Sequence, residues 1–365
     1  MRIGMFSKFG APDGLCTRAN IVVKGLIRKG HEVHVFTQAE KVEGVPPEYV
    51  HQFRAIPMNP HFSLDSLSAP RMIAEVCKEH DIDVLHAQMN SSTTETFLPF
   101  YGKFLPPLVA TFHLAYSSGQ SFYTTWFTLR WLASLFSLKK YDEIILVDPM
   151  QKPYILQYGI PENKLTVIRN GVDTDMFSPA KSNRNDGILD FVYVGRLSLD
   201  KGISTLLDAF ARYHDENPAS RLTLIGDGKL KTKMNNSVHD GSIYWLGALE
   251  HDSIPTYLKM MDVFVIPQNI GGLGMSVLEA MSCGLPVITT GIGETNRLLG
   301  NNEGILVRPH RVPEVVNAMR QMGRNEYSRL EMGRRCRQKV LRKYSWSKQI
   351  DEIIKVYERA ISHND

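Results

Sequence analysis

The sequence predicts an α/β protein built from two doubly wound parallel sheets. Short apolar segments alternate with segments of helical spacing along the first part of the chain. The same alternation restarts after residues 176–188, a polar stretch rich in turn residues. The length of 365 residues suits about two domains of roughly 150 residues each.

The first half opens with a strand at residues 3–6, which leads into a loop at 10–14. Residues 17–28 show helical spacing, and Gly30 ends that helix. The elements predicted next, in chain order, are strand 31–37, helix 69–79 and strands 84–88, 108–113 and 143–147. Because helices separate the strands, we expect the sheet to be parallel.

The second half repeats the alternation without a sequence repeat that can be aligned. Its predicted elements are strand 189–197, helix 202–214, strand 221–228, strand 243–247, helix 255–261, strand 263–267 and a helix and strand within 270–288. We expect residues 1–178 to form the first domain and residues 179–345 the second. A last helix at residues 346–362 is expected to pack back on the first domain.

Composition points to a soluble protein, with 43% hydrophobic and 22% charged residues. A net charge of +4 is too small to indicate nucleic-acid binding. The first ten residues lack the apolar core of a signal peptide. The most apolar stretch, residues 123–138, is interrupted by Arg130 and is shorter than the roughly 20 residues of a membrane span. We therefore expect a cytoplasmic protein.

The cysteines and the basic residues support the same expectation. Four scattered cysteines form no C-x-x-C pair, which favours reduced thiols over a zinc site or a disulfide framework. Much of the positive charge lies between residues 320 and 343. Such a run is typical of a solvated helix face. The alternative is a patch for an anionic membrane surface, with the protein peripheral at the inner face.

Residues 270–288 contain a glycine-rich loop that leads into an amphipathic helix. Glycines in this position allow backbone N–H groups to approach a ligand, and a helix N-terminus favours anions. Glu279 follows on the first turns of the helix, where its carboxylate can accept hydrogen bonds from hydroxyl groups. The segment therefore predicts a phosphate or diphosphate site.

Six segments in a fixed order resemble a known family. They are residues 25–37, 167–179, 193–210, 224–228, 245–267 and 272–288. The chain resembles, over nearly its whole length, the retaining, nucleotide-sugar-dependent glycosyltransferases of family 4. The resemblance implies the GT-B architecture, in which two Rossmann-like domains face each other across a cleft. It also implies a donor nucleotide on the second domain, an acceptor on the first, and a hexosyltransferase.

Arg196 and Lys201 follow a predicted strand and lie on one loop. Two cations there can neutralise a diphosphate and stabilise the charge that grows as it leaves. In the family that the chain resembles, the matching residues bind the donor diphosphate. The alternative is a pair of surface cations at a helix start, a position that the helix dipole disfavours.

The resemblance also implies which residues contact the donor. The matching positions are Gly14, Gly226, Gly228, Leu249, Gly272, Leu273, Gly274, Met275, Ser276, Val277 and Glu279. Glu279 would accept hydrogen bonds from the ribose hydroxyls, and Gly274 to Val277 would present their backbone to the phosphates and sugar. Gly14 retains one of two family glycines, and a simple Asp-Gly turn is its alternative.

Two histidines end predicted strands of the first half. His113 matches a family histidine beside the donor sugar, and ligands of open α/β sheets gather at the carboxyl ends of strands. The alternative for His113 is a polar residue at the sheet edge. For His86, a packed position between strands is the favoured interpretation.

One position departs from the family. Two glutamates normally stand eight positions apart, but Gly271 replaces the first and Asn269 is the nearest polar side chain. Loss of that carboxylate removes a charged hydrogen-bond acceptor, worth roughly 1.5–3 kcal/mol. The second hypothesis is therefore a non-catalytic relative that binds nucleotide or sugar.

No resident cofactor is expected, because the nucleoside-diphosphate sugar is itself a substrate, and no metal is expected either. The Asp-x-Asp strings at 81–83 and 173–175 are best explained as turn and capping residues. The aromatic segment 116–136 favours helix core, with a wall for an apolar acceptor as the alternative. A nicotinamide dehydrogenase is disfavoured, because no G-x-G-x-x-G follows the first strand.

Overall fold

The chain folds into two compact units, each built on its own parallel sheet. The computed structural model describes residues 1–9, 14–59, 62–89, 92–113, 133–180, 186–230, 241–270, 274–293, 295–300 and 302–363. The first unit comprises Met1–Asn170 and Trp346–Asp365, and the second comprises Gly171–Ser345. The chain therefore leaves the first unit after Asn170 and returns to it at Trp346.

Both sheets are parallel throughout, as the alternation of strands and helices predicts. The first has seven strands in the order β3-β2-β1-β6-β7-β8-β9, and the second has six in the order β12-β11-β10-β13-β14-β15. The strands are β1 Arg2–Phe6, β2 Glu32–Thr37, β3 Val50–Gln52, β4 Ala55–Asn59, β5 Phe62–Asp65, β6 Val84–Gln88, β7 Leu108–Phe112, β8 Glu143–Leu146, β9 Leu165–Val167, β10 Leu189–Val194, β11 Ser220–Ile225, β12 Ile243–Trp245, β13 Val263–Ile266, β14 Val287–Thr290 and β15 Gly304–Val307.

Helices connect the strands and cover the sheets. They are α1 Gly14–Arg28, α2 Ala69–Glu79, α3 Thr94–Phe97, α4 Gln151–Leu156, α5 Ile203–Glu216, α6 Ile254–Leu258, α7 Met275–Ser282, α8 Thr295–Leu298, α9 Val312–Arg324, α10 Glu326–Lys343 and α11 Trp346–Ser362. Residues 133–138 are also helical. Short 3-10 turns lie at Pro47–Tyr49, Leu98–Phe104, Glu162–Lys164, Leu199–Lys201 and His251–Ser253.

The central strands are apolar on both faces because helices cover both. In β1, Ile3 and Met5 face one core, whereas Phe6 faces the other. This arrangement explains why strands such as Leu108–Phe112 are near-continuous apolar runs rather than alternating ones.

Helix α11 packs against α1 in the first unit. A Cβ added to Gly25 of α1 would lie 1.9 Å from the Ile350 side chain, so the absence of a side chain permits the close approach. At the centre of the sheet, the Tyr357 hydroxyl of α11 lies 2.6 Å from His86 Nδ1. The last helix is therefore part of the core of the first unit.

The second unit begins at Gly171, earlier than the predicted domain boundary after residue 178. Val172 and Phe177 are buried in the core of the second unit, and Ser282 donates a hydrogen bond to the Phe177 carbonyl. The Val172 N–H also donates to the Tyr344 carbonyl at 2.8 Å. A polar, turn-rich stretch indicates that a domain boundary is near. Packing against the second core then determines that the residues just before that stretch belong to the second unit.

The strands β3, β9 and β15 and an antiparallel hairpin of β4 with β5 were not predicted. These strands are short, and Pro57 interrupts the donor pattern of β4. None of the described helices combines the length and apolarity needed to cross a membrane.

The basic run at residues 320–343 is extensively paired inside the second unit. Arg320 bonds to Glu216, and Lys339 lies 2.9 Å from Glu303. Arg337 donates to the carbonyls of Thr174, Phe177 and Ser282. Arg337 and Lys339 therefore contribute to the packing of α10, and Arg320 joins α9 to the end of α5.

Candidate functional site

The carboxyl ends of β10 and β13 lie side by side in the second sheet. The loop after β10 carries Arg196 and then the 3-10 turn Leu199–Lys201. The loop after β13 leads towards helix α7. Ligands of open parallel sheets bind at this edge, so the sequence motifs converge at the expected end of the strands.

Arg196 and Lys201 occupy one short turn but differ in environment. The Arg196 side chain is 76% exposed, and its Nη2 lies 3.5 Å from Asp200 Oδ2. Its position is fixed through its backbone, because the Tyr193 hydroxyl donates to the Arg196 carbonyl at 2.6 Å. Lys201 is half-buried, and burial lowers its pKa, with Asp200 opposing that effect and Arg196 adding to it.

This electrostatic balance favours an anionic ligand. Desolvation disfavours the charged form of Lys201, and a nearby like charge adds to the cost. Only one carboxylate, Asp200, acts on Lys201 among the groups that shift its pKa. A diphosphate placed against both cations would offset their repulsion and would form charge-assisted hydrogen bonds.

Glycines allow the loops at this edge to pack backbone against backbone. Gly226 has a φ of 139°, and a Cβ there would lie 1.9 Å from the Gly195 carbonyl oxygen. A Cβ at Gly228 would lie 2.4 Å from the Leu197 carbonyl oxygen. Both positions predicted to contact the donor therefore require glycine for the fold itself, because any side chain would separate the loops after β10 and β11.

Asn269 holds the loop after β13 against the cation-bearing turn. Its side-chain Nδ2 donates to the Leu199 carbonyl at 2.6 Å, and its backbone N–H donates to the Asp200 carbonyl at 2.7 Å. The nearest polar side chain to Gly271 thus positions the turn that carries Lys201.

Helix α7 begins directly after Gly274, which has extended backbone angles and provides no side-chain cap. The first turn contains no acidic residue, so its N–H groups and dipole remain suited to an anion. Met275 and Ser276 are half-buried, whereas Val277 packs in the core. The predicted donor residues Gly272 and Leu273, together with Gly271, lie outside the described residues.

Glu279 has a partner that the sequence analysis missed. His251 Nε2 lies 3.0 Å from the Glu279 carboxylate, which is only 8% exposed. The hydrogen bond is the main cause of a raised pKa for His251. Glu279 is therefore held in one orientation, while Leu249 lies two residues before His251 and packs against the core.

The first unit brings another group of predicted residues to the carboxyl edge of its own sheet. His113 follows β7 and donates through Nε2 to Gln88 Oε1 at 2.8 Å. Burial, together with the charges of Arg18 and His86, holds the pKa of His113 well below its usual range. The imidazole is therefore neutral at pH 7. Gly14 is the first residue of α1, and residues 10–13 of the preceding loop are outside the described residues.

Arg18 is a buried cation that the sequence analysis also missed. Its Nη1 donates to Asn170, and its guanidinium carbon lies 5.4 Å from the centre of the Trp346 ring. Burial lowers its pKa to about 10. Its Nε and Nη2 have no hydrogen-bond partner among the described residues. After burial, the charge of Arg18 is the next contribution to the lowered pKa of His113.

The remaining sequence candidates are structural. His86 is fully buried, with Nε2 2.7 Å from the Thr111 hydroxyl, as the packed interpretation expects. Asp83 accepts the Arg2 N–H, and Asp173 accepts two N–H groups in its own turn. Neither Asp-x-Asp string joins a group of three metal-ligating side chains within the described part of the chain. Of the aromatic segment 116–136, residues 116–132 lie outside the described residues.

Two family profiles match adjoining parts of the chain. The profile described as Glycosyltransferase Family 4 matches residues 13–176, and the one described as Glycosyl transferases group 1 matches residues 176–339. Together with the two parallel sheets, these matches define a glycosyltransferase of the GT-B fold class. The chain belongs to glycosyltransferase family 4, which confirms the resemblance seen in its sequence.

Several curated relatives are glycosyltransferases. Sulfoquinovosyl transferase SQD2 of Arabidopsis thaliana is 26% identical over 375 residues, which cover 94% of this chain and 71% of that protein. An Escherichia coli enzyme named UDP-Gal:alpha-D-GlcNAc-diphosphoundecaprenol alpha-1,3-galactosyltransferase is 30% identical over 250 residues, which cover 62% of each.

Solved structures show the same fold. HepE of Anabaena in complex with UDP matches with a TM-score of 0.76 at 18% identity, covering 98% of this chain and 100% of that one. Sucrose-phosphate synthase from Thermosynechococcus elongatus matches with a TM-score of 0.71 at 19% identity, covering 99% of both chains.

Proposed function

We propose that this protein transfers a hexosyl group from a nucleoside-diphosphate sugar to an acceptor hydroxyl, with retention of anomeric configuration. The observation that supports it best is the meeting of Arg196, Lys201, the glycine loops and the start of α7 at one strand edge. Family membership supports the reaction class. The donor nucleotide binds the second unit in this proposal, and the acceptor binds the first.

The chemistry assigned to the site is departure of a nucleoside diphosphate. The bond between the anomeric carbon and the diphosphate oxygen breaks, and the acceptor oxygen forms a bond to the same face of that carbon. The acceptor proton passes to the leaving phosphate, so no protein carboxylate is needed as a nucleophile. Arg196, Lys201 and the dipole of α7 stabilise the negative charge that grows on the diphosphate.

The other proposed contacts orient the donor. Glu279, fixed by His251, accepts hydrogen bonds from the ribose hydroxyls. The backbone at Leu249 bonds to the base, and the backbone of Gly274 to Val277 contacts the phosphates and sugar. His113, neutral and held by Gln88, is the candidate for a hydrogen bond to the donor sugar.

The relatives suggest which donors to test first. The name of the similar Escherichia coli enzyme includes UDP-Gal, and a solved structure of the similar protein HepE is a complex with UDP-glucose. We therefore propose a UDP-hexose as the first donor to test. We also propose that the protein is cytoplasmic, with peripheral contact at the inner face of a membrane as the alternative.

Ligand binding can be tested by thermal shift across uridine, guanosine and adenosine diphosphates and their hexose conjugates. A ligand that binds only the native state raises the melting temperature, because it adds about 2.7 kcal/mol to the free energy of unfolding at 100 times Kd. We expect a clear increase with one base and little with the others. Equal, negligible shifts with all of them at saturating concentrations would contradict a nucleotide site.

Gly271 motivates the second candidate, a non-catalytic relative that binds nucleotide or sugar. The two candidates differ in whether bound donor is consumed. Purified protein is incubated with the donor that stabilises it most, and release of nucleoside diphosphate is measured with and without candidate acceptors. Binding without any release, by transfer or by hydrolysis, would favour the non-catalytic protein.

A further inference from the structure

Three histidines from distant parts of the first unit meet beside β2. His34 lies in β2, His51 lies in β3, and His80 follows the last turn of α2. Parallel pairing aligns His51 with Phe36, so His34 and His51 lie on the same face of the sheet. The ligand atoms of the three imidazoles all lie within 4.8 Å of one another.

We propose that His34, His51 and His80 bind a divalent transition-metal ion, and that Zn²⁺ fits these ligands best. This site is separate from the proposed glycosyl transfer. Imidazole nitrogen is a preferred ligand of zinc, and three protein ligands with one solvent ligand form a common tetrahedral set. His51 and His80 are half-buried, so solvent can reach the fourth position.

The distances suit insertion of an ion. His34 Nδ1 lies 3.0 Å from His51 Nε2. A tetrahedral zinc with bonds of about 2.0–2.1 Å holds its nitrogen ligands about 3.3 Å apart. The pair therefore needs to separate by only a few tenths of an ångström, while the His80 ring, with its centroid 4.5 Å from that of His34, turns towards them.

A metal-binding histidine often donates a hydrogen bond from its second ring nitrogen to a carboxylate, and His34 already has such a partner. Glu32 accepts from His34 Nε2 at 3.0 Å, which leaves Nδ1 of that ring with its lone pair directed at His51. Carboxylate–histidine–zinc triads have this arrangement, and it fixes both tautomer and ring orientation. On metal binding, the proton between His34 and His51 moves to the far nitrogen of the His51 ring, and each imidazole remains neutral.

The location argues for a structural role. The cluster spans the edge of the first sheet: His34 pairs with Gly4 in β1, His51 lies in the edge strand β3, and Arg2 donates to the His80 carbonyl. The candidate His113 follows the carboxyl end of β7. An ion that joins β2, β3 and the end of α2 would tie together elements that are far apart in sequence.

The test uses untagged full-length protein, stripped with a chelator and titrated separately with Zn²⁺ and Co²⁺ by calorimetry and absorption. We expect one equivalent to bind, and Co²⁺ to give the intense visible bands of a four- or five-coordinate imidazole site. His51→Gln and His80→Gln should each weaken binding by at least about 100-fold. Glu32→Gln should weaken it about 10- to 100-fold, and His363→Gln, an exposed histidine outside the cluster, should not.

Two outcomes would overturn the proposal. One is metal uptake that His51→Gln and His80→Gln leave unchanged. The other is a Co²⁺ spectrum of the wild-type protein that stays that of the hydrated ion, which needs no variant and so does not depend on any variant folding. Both readouts are independent of nucleotide binding and glycosyl transfer, so they leave the proposed function untouched.

Discussion

Lys201 and Arg196 show how much the surroundings of a side chain add to a sequence motif. The motif predicts two cations on one loop, which the structure shows. It does not predict that Arg196 is exposed and partly compensated by Asp200, or that burial lowers the pKa of Lys201. Of the two, Lys201 should gain more from a diphosphate, because its charge is the less well solvated.

Replacing either cation by alanine should lower turnover at least about 100-fold, the scale of removing one charge-stabilising group. Initial rates of nucleoside-diphosphate release from Arg196→Ala and Lys201→Ala provide the measurement. Arg212→Ala, an exposed cation on α5 of the same unit, should retain wild-type turnover. Near wild-type rates in both site variants would refute the assignment.

The His251–Glu279 pair predicts a pH dependence of stability. The native pKa of His251 is raised above its unfolded value of about 6.5. Its stabilising contribution is therefore complete below about pH 6.5 and is lost as pH rises through the native pKa. Between about pH 6 and 8, the melting temperature should fall more in the wild type than in His251→Gln, whereas His363→Gln should follow the wild type.

Parallel dependence of the melting temperature on pH in wild type and His251→Gln would show that the pair does not contribute to stability.

The sequence alone identifies Glu279, because its helix and the glycines before it form one local motif. It could not find His251 or Arg18. Their roles come from contacts between distant segments, such as Arg18 with Asn170 and Trp346, which no local spacing encodes.

At the scale of elements, the alternation of apolar strands and helices predicted both parallel sheets and most of their strands. The elements missed were short or at the margins: the edge strands β3 and β9 have three residues each, and the hairpin of β4 and β5 contains Pro57. The predicted glycine contacts with the donor gained a second, structural explanation, because Gly226 and Gly228 abut backbone carbonyls.

Gly226→Ala should destabilise the second unit by about 3 kcal/mol, the upper range for a strained backbone position, with an added clash against Gly195. The matched control is Gly241→Ala, which also has a positive φ of 75° but meets nothing within 4 Å. It should cost only about 1 kcal/mol. Thermal unfolding of both variants provides the comparison, and equal losses would mean that the loop contact is unimportant.

At the scale of the whole molecule, metal and catalysis should be separable. We propose that glycosyl transfer needs no metal, while the histidine cluster holds one beside β2 and β3 of the first sheet. Excess EDTA should therefore leave the initial rate unchanged well below the melting temperature, yet lower the melting temperature of zinc-loaded protein. Metal-independent transfer would be contradicted if EDTA abolished activity and manganese restored it, both in the wild type and in His51→Gln.

The hydrogen bond from Val172 to the Tyr344 carbonyl has an engineering consequence. It places the entry and exit of the second unit next to each other, so residues 171–345 form one continuous cassette with its own core. Asn170 and Trp346, the cut ends that would remain, both contact Arg18, so a short splice could rejoin them. The cassette could then be expressed alone for nucleotide soaking, or exchanged for that of a relative to graft a different donor preference.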